Sequence, residues 1–228
     1  MPQKKAWEKE YDSLKLMTLG AEPQADVLRF LKWYKKFAKT NLVNEKILDL
    51  GCGAGRNANY LASEGALVIG MDIARNVLDE ARRRAKKLDV AVKYIEQSIG
   101  AEWPMEDGSA DLILDVTSSN SLNEDERETY LRECDRVLQR DGILFFRGLC
   151  RDGDKNAKEL LKTCPGTEYD TYKLKGVGIV ERVFSEADLR STYGRYFKFL
   201  HLEKKIGYQR FNNQSYKRIY WLAYLQKK

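Results

Sequence analysis

Residues 46–55, KILDLGCGAG, constrain this chain more than any other stretch. Ile47, Leu48 and Leu50 around a single acid, Asp49, read as a short strand buried on both faces. Gly51, Gly53 and Gly55 at alternate positions then read as a turn tight enough for a ligand to touch backbone, ahead of a helix. A nucleotide-like ligand is the expectation from this stretch alone.

The following residues repeat the pattern. A helix is expected over residues 57–64, closed by Gly65, and a second apolar strand over 66–72, ending in Asp72. Leu78, Ala81, Ala85 and Leu88 then share one side of a helix over 75–88. Strands are expected at 90–95, 110–115 and 143–147. Asn123 with Glu126 three residues on makes a capping-box start for the helix between the last two, which Asp141 and Gly142 should stop. Alternating strands and helices imply α/β architecture with a mostly parallel sheet. Right-handed crossovers put every strand's C-terminal end on one edge, where ligands bind.

The flanks are less regular. Trp7 and Tyr11, four apart, share a face if the first 20 residues are helical, and Pro23 sits well in the first turn of a helix over 23–39. Residues 149–183 mix Gly, Pro, Lys and Asp and read as an insertion over the ligand edge. Ser185 with Asp188 starts another helix, and 197–202 and 219–225 read as the last two strands. The expected organisation is a single domain: an N-terminal helical segment or lid (1–40), a core (41–148), a cap-like insertion (149–183) and a C-terminal helix with two strands (184–228).

At 228 residues such a domain can bury about 70% of the surface its unfolded chain exposes. No apolar run approaches the ~20 residues of a membrane span, and the N-terminus continues into charge, so a cytoplasmic protein is expected. Cys52, Cys134, Cys150 and Cys164 are scattered, which indicates neither metal site nor disulfide framework, and the single histidine, His201, alternates with apolar residues as a structural residue would. The net charge of +6 is uneven: Lys and Arg outnumber Asp and Glu 10 to 6 over residues 1–46, fall behind 13 to 19 over 47–150, and lead 17 to 9 thereafter. Basic ends flanking a cleft suit an anionic substrate. Nucleic acid is the alternative partner, without a dense basic tract or motif to support it.

LDLGCGAG at 48–55 resembles the first motif of class I S-adenosylmethionine-dependent methyltransferases, and Met71-Asp72-Ile73 is similar to their ribose-binding motif. WPMEDGSAD at 103–111 resembles the family's approach to the fourth strand, and RVLQRDG at 136–142 its approach to the fifth. The resemblance covers about residues 40–150. It implies a Rossmann-like, doubly wound, seven-stranded sheet with an antiparallel last strand, and S-adenosylmethionine as cofactor, released as S-adenosylhomocysteine. A dinucleotide dehydrogenase would carry G-x-G-x-x-G, whereas here the glycines read G-x-G-x-G and Arg56 follows. A cofactor-binding protein without transferase activity, and a nucleic-acid-binding module, are the other readings.

On this resemblance Gly51, Cys52, Gly53, Gly55, Arg56 and Asn57 cradle the methionine end. Asp49 balances its ammonium, Asp72 takes the ribose hydroxyls, and Ile73 with Gln97, Ser98 and Ile99 flank the adenine. Asp115 at the fourth strand's exit touches cofactor or substrate. The family's aspartate near Ile99 is absent, which leaves the adenine amine to backbone or Gln97. DVTSSN at 115–120 lacks the Asn/Asp-Pro-Pro-aromatic signature of base-amine methylation, and no Pro-Cys stands there for cytosine carbon. An O or N nucleophile of a small molecule is therefore expected, with RNA- or protein-directed transfer as alternative. Asp115 and Tyr11 are the candidate catalytic residues. Asn120, Arg147, Asn212 and Tyr216 are the candidate acceptor-binding residues, the last two on a connection over 205–217. No metal is expected.

Overall fold

The computed structural model describes residues 3–14 and 20–228. Residues 1–2 and 15–19, part of the N-terminal stretch expected to be helical, lie outside the described residues. Helices α1 (Lys4–Ser13) and α2 (Ala25–Phe37) precede the repeating core. The core runs β1 (Lys46–Leu50), α3 (Arg56–Ser63), β2 (Leu67–Asp72), α4 (Arg75–Leu88), β3 (Val92–Glu96), β4 (Ala110–Val116), α5 (Glu124–Val137) and β5 (Leu138–Leu149). After it come α6 (Lys155–Thr163), the short strands β6 (Thr171–Lys173) and β7 (Val180–Arg182), α7 (Glu186–Tyr193), β8 (Phe197–Phe211) and β9 (Gln214–Lys227).

Seven strands form one sheet in the order β3-β2-β1-β4-β5-β9-β8. The five core strands pair in parallel, and β9 runs antiparallel to both neighbours. Alternation along each strand divides the apolar residues between two faces. Leu48, Ile113, Leu144 and Phe146 pack with Tyr130 and Leu131 of α5 and Tyr193 of α7. Ile47, Leu112, Leu114 and Phe145 pack with Phe30 of α2, Leu61 of α3 and Leu78 of α4. Burial on both faces explains why the core strands read as near-continuous apolar runs.

Two start signals operate as expected. The Asn123 side chain accepts from the Glu126 amide at 2.8 Å while Glu126 accepts from the Asn123 amide at 3.1 Å, and Ser185 caps α7 by accepting from the Asp188 amide at 3.1 Å. Three expectations need correction. Helix α5 ends at Val137, before Asp141 and Gly142, because Leu138 already pairs with Ala110 as the start of β5. The insertion holds a helix and a two-stranded sheet, β6 with β7. The span 205–217 is the far end of a long hairpin: β8 and β9 stay paired out to Phe211 and Gln214. Asn212 and Asn213, at φ of 46° and 61°, close it as a two-residue turn, the backbone that a tight hairpin requires.

Candidate active site

The strand order reverses between β1 and β4, and their C-terminal ends diverge into one cleft there. Gly51 ends β1 with a φ of 62°, and a Cβ on it would stand 2.3 Å from Ser118 Oγ. The Ser118 hydroxyl donates to the Leu50 carbonyl at 2.6 Å, so the exit of β4 is held against the exit of β1. Gly55 is crowded in the same way, since its Cβ would meet Tyr94 Oη at 2.2 Å. Two of the three glycines are thus set by protein contacts. Gly53 is the one that faces open space, a Cβ there meeting only the Tyr11 hydroxyl at 3.4 Å.

The cleft is a cavity of about 430 Å³ with two halves. One half is lined by Gly51, Arg56, Asp72, Ile73, Ser98 and Ile99, with Trp7 and Tyr11 of α1 across it. Asp72 ends β2, and its carboxylate accepts from the Gly53 amide and the Ala74 amide, each at 2.9 Å. Burial pushes its acid up to about 6, against the pull of the Ala74 and Gly53 amides. Asp49 is buried below the glycine turn, and its Oδ2 has no hydrogen-bond partner among the described residues. Burial raises its acid to about 7, while Arg56 pulls the other way. The half is therefore lined by one desolvated carboxylate, Asp72, while the second, Asp49, lies buried behind the lining with unused acceptor capacity.

Helix α1 lies over this half. Trp7 and Tyr11, on one face as their spacing implied, pack against Ile73 and the Ala54, Ala74 and Val77 cluster. Asn76 donates to the Glu8 carbonyl at 2.9 Å and to Asp12 at 2.8 Å. Gln3 accepts from the Val180 amide at 2.7 Å and ties the start of α1 to β7. The Tyr11 hydroxyl donates to Asp72 at 3.4 Å.

The other half is lined by Arg147 and Leu149 of β5, Glu181 of β7, Tyr208, Gln209 and Arg210 of β8, and Tyr220 of β9, among others. Arg147 donates from Nε to Asp26 at 3.1 Å and lies 3.6 Å over the Tyr220 ring. Glu181 belongs to a buried chain of polar groups. The Tyr172 hydroxyl donates to it at 2.8 Å, Arg218 donates to that hydroxyl at 3.0 Å, and Arg218 Nε donates to Asp154 at 3.0 Å.

Several expected residues stand elsewhere. Asp115 is fully buried and does not line the cavity: it accepts from the Ser118 and Ser119 amides at 3.0 and 3.2 Å and from Tyr130 at 2.8 Å, and so folds the turn after β4. Tyr11 stands with Asp72, to which its hydroxyl donates. The Asn120 side chain accepts from the Leu149 amide at 3.2 Å, within the core. Asn212 is spent on the hairpin turn, and Tyr216 donates to Gln214 at 2.6 Å, outside the cavity. Gln97 donates to the Glu102 carbonyl at 2.9 Å, which draws its amide away from the cleft. Cys52 is buried against Gly70, and Asn57 accepts from the Gln24 amide at 3.0 Å; both shape the turn from behind. His201 lies beside Tyr224, ring centroids 4.7 Å apart, and is not part of the lining. Sequence reasoning missed Glu181 and Tyr220. Burial alternates over residues 179–183, with Ile179, Glu181 and Val183 inside, but the sequence IVERV has no apolar–polar alternation to mark β7.

Residues 47–142 match the family described as a methyltransferase domain. The chain is 31% identical over 128 residues to a ubiquinone biosynthesis O-methyltransferase of Pectobacterium carotovorum, covering 56% of this chain and 51% of that protein. It is 30% identical over 151 residues to the Salmonella paratyphi A protein of the same name, covering 66% and 60%. The matches thus span only half to three-fifths of those relatives. Among solved structures, a S-adenosylmethionine-dependent methyltransferase from Methanosarcina mazei superposes with a TM-score of 0.74 at 19% identity, over 90% of this chain and 98% of that one. The 1,6-didemethyltoxoflavin N1-methyltransferase of Burkholderia thailandensis, solved with S-adenosylhomocysteine, gives 0.71 at 15% identity over 99% and 87%. At those identities the likeness is one of fold.

The residues present suit the family's cofactor. A buried carboxylate oxygen without a partner lies under an open glycine, and a second carboxylate stands at the tip of the next strand, as a cationic amine and a diol require. With its reversed strand order, its glycine turn and its matched segment, the chain has the fold of the S-adenosylmethionine-dependent methyltransferase it superposes on, and its core over residues 47–142 matches the methyltransferase-domain family.

Proposed function

We propose that this protein is an S-adenosylmethionine-dependent methyltransferase that acts on an oxygen or nitrogen nucleophile of a small molecule. The observation that carries this reading is the single cavity joining a carboxylate-rich half at the glycine turn to a separate polar half under the insertion and hairpin. Both reactants of a transfer have room in it. The relatives' name, ubiquinone biosynthesis O-methyltransferase, and the toxoflavin-precursor enzyme among the structural neighbours support a small acceptor. The four cysteines are unpaired thiols, consistent with a cytoplasmic setting, and no helix among the described residues is long and apolar enough to cross a membrane.

In this reading Asp72 accepts the ribose hydroxyls and Asp49 faces the ammonium. The amides of the glycine turn and the start of α3 receive the carboxylate, aided by Arg56. Ile73, Ser98 and Ile99 hold the adenine, and the chain is one domain in which residues 1–40 supply the lid. Bound cofactor supplies a methyl group on a cationic sulfur. The chain's own part is alignment and exclusion of water, and aligning two bound reactants is worth about 7 to 11 kcal/mol. Trp7 and Tyr11, packed over the carboxylate-rich half, serve the exclusion. The test is calorimetric binding of S-adenosylmethionine, followed by incubation with labelled cofactor and separation of small-molecule, RNA and protein pools. Label confined to small molecules is the expected result; no cofactor binding would sink the reading.

A further inference from the structure

The polar half of the cavity contains an acid whose surroundings differ from those of every other buried carboxylate in the site. Glu181 projects from β7 within the insertion and is only 4% exposed, yet it lines the cavity. Its neighbours on the protein side are Tyr172 of β6, Arg218 of β9 and Asp154 before α6, all buried. Asp154 is engaged on both oxygens: it accepts from Arg218 and the Ile219 amide on Oδ2, at 3.0 and 2.8 Å, and from the Ala157 amide on Oδ1 at 2.8 Å. Arg218 is engaged at all three nitrogens, giving Nε to Asp154, Nη2 to Tyr172 and Nη1 to Gln209 at 2.7 Å.

Glu181 receives one bond, from Tyr172, and no other donor reaches it among the described residues. The buried group thus holds two carboxylates against one guanidinium. Asp154 takes most of the compensation, and Glu181 is left with an unengaged oxygen on the cavity side. Burial raises its acid despite Arg218 and the Tyr172 bond. Arg147, fixed by Asp26 and the Tyr220 ring, brings a positive charge to the same half, where Arg210 also lines the cavity, while Glu126 lines it beside Gly100, next to Ile99.

We propose that Glu181 is the general base of the reaction and that the acceptor is a hydroxyl compound whose oxygen reacts as it loses its proton to this carboxylate. The inference rests on the methyltransferase reading and narrows its nucleophile from oxygen or nitrogen to oxygen. The proton passes from the acceptor hydroxyl to the free oxygen of Glu181 as the acceptor oxygen bonds the methyl carbon. The electron pair of the carbon–sulfur bond returns to sulfur, leaving a neutral thioether and an ether product. Glu181 afterwards gives its proton to water. Arg147 favours the developing negative charge on the acceptor oxygen. Tyr172, Arg218 and Asp154 are positioning residues that hold Glu181 with one oxygen turned to the cavity.

The test compares the full chain with its Glu181→Gln and Tyr172→Phe variants. Calorimetry with S-adenosylhomocysteine should give equal affinities for all three, since Glu181 and Tyr172 lie in the other half. Tritiated cofactor is then supplied with an ultrafiltered metabolite extract and with a panel of phenols, alcohols and amines. A general base contributes about 100- to 10,000-fold, so Glu181→Gln should lose at least 100-fold in labelling rate and the acid limb of its pH profile. Tyr172→Phe should keep the limb but move it to higher pH, which a merely structural role would not do. The product should carry label on oxygen by mass spectrometry. Label on nitrogen, or a Glu181→Gln rate within tenfold of the parent at equal S-adenosylhomocysteine affinity, would overturn the proposal while sparing the methyltransferase reading. Absence of both binding and labelling in the parent chain would remove the reading and the proposal together.

Discussion

The two halves of the cavity are built on opposite electrostatic plans. In the half at the glycine turn, burial raises both acids, Asp49 to about 7 against the pull of Arg56 and Asp72 to about 6 against its bonds from the Ala74 and Gly53 amides, and Asp49 keeps an oxygen with no partner among the described residues. In the half under the insertion, Arg218 is held by Asp154, Tyr172 and Gln209, and Arg147 by Asp26 and Tyr220. The first half holds acids that burial raises, one of them with an unused oxygen. The second carries charges that have found each other, with Glu181 as the exception. A carboxylate kept unpaired costs stability and gives affinity, whereas a paired network holds a scaffold.

The largest effect should come from breaking the paired half. Asp154→Ala removes the partner of a guanidinium that is 3% exposed, the amide acceptor at Ile219 and the cap of α6. Unpairing a buried charge costs about 3 to 5 kcal/mol. Urea unfolding should show a loss of that size. A loss under about 1 kcal/mol would mean that the network is not what holds the insertion, and would break the contrast.

Asp72→Ala comes next and acts on the half at the glycine turn. Hydrogen bonds to a charged group are worth about 1.5 to 3 kcal/mol each, so losing a carboxylate that serves two hydroxyls should weaken cofactor binding about 100-fold or more. Because Asp72 also accepts the Gly53 and Ala74 amides, the variant should unfold somewhat earlier as well. Calorimetry against S-adenosylhomocysteine with a parallel melting curve separates the two consequences. Affinity within threefold of the parent would remove Asp72 from the site.

These expectations also show where sequence was sufficient. The glycine turn, Asp72 and the capping box were legible because local chemistry sets each of them: positive φ, an acid at a strand tip, two reciprocal amide bonds. Asp115 was not, since nothing local says that Tyr130 and two turn amides will consume it. Glu181 was hidden for a related reason. Its strand is three residues long and pairs only with β6, and the sequence IVERV around it has no apolar–polar alternation to stand out of a Gly- and Lys-rich insertion. The hairpin turn at Asn212 and Asn213 carried a readable signal, but polar and aromatic residues on both sides suggested a recognition loop instead.

Asp49→Asn sharpens the contrast by pH. The acid stands near 7 in the fold against 3.8 in the unfolded chain, so the folded state binds the extra proton between those values. Its contribution to stability is fully present below about pH 4 and is lost as pH rises through 7, at about 1.4 kcal/mol per pKa unit. The cofactor-free parent should therefore lose stability from pH 4 to 7 more steeply than Asp49→Asn. The same variant should bind S-adenosylhomocysteine about tenfold or more weakly at pH 8, through the lost charged contact. A variant with unchanged slope and unchanged affinity would show that Asp49 is not waiting for an ammonium.

Arg127→Met should have the smallest effect and gives the contrast its control. Arg127 of α5 is as buried as Arg218, at 2% exposure, but its Nε and Nη1 have no partner among the described residues. It keeps one bond, from Nη2 to the Leu122 carbonyl at 2.6 Å, and its charge is held down, to about 10, by burial and by Arg182. Removing it takes away an uncompensated charge and leaves one carbonyl short, while a methionine keeps the contact over Phe184. Replacing buried charge by a well-packed apolar chain is often neutral or stabilising, so unfolding free energy should stay within about 1 kcal/mol of the parent. Two arginines of equal burial would then differ by several kcal/mol in what they hold together, because one has three partners and the other has one. A loss near that of Asp154→Ala would show that burial, and not partnership, sets the worth of a charge in this fold.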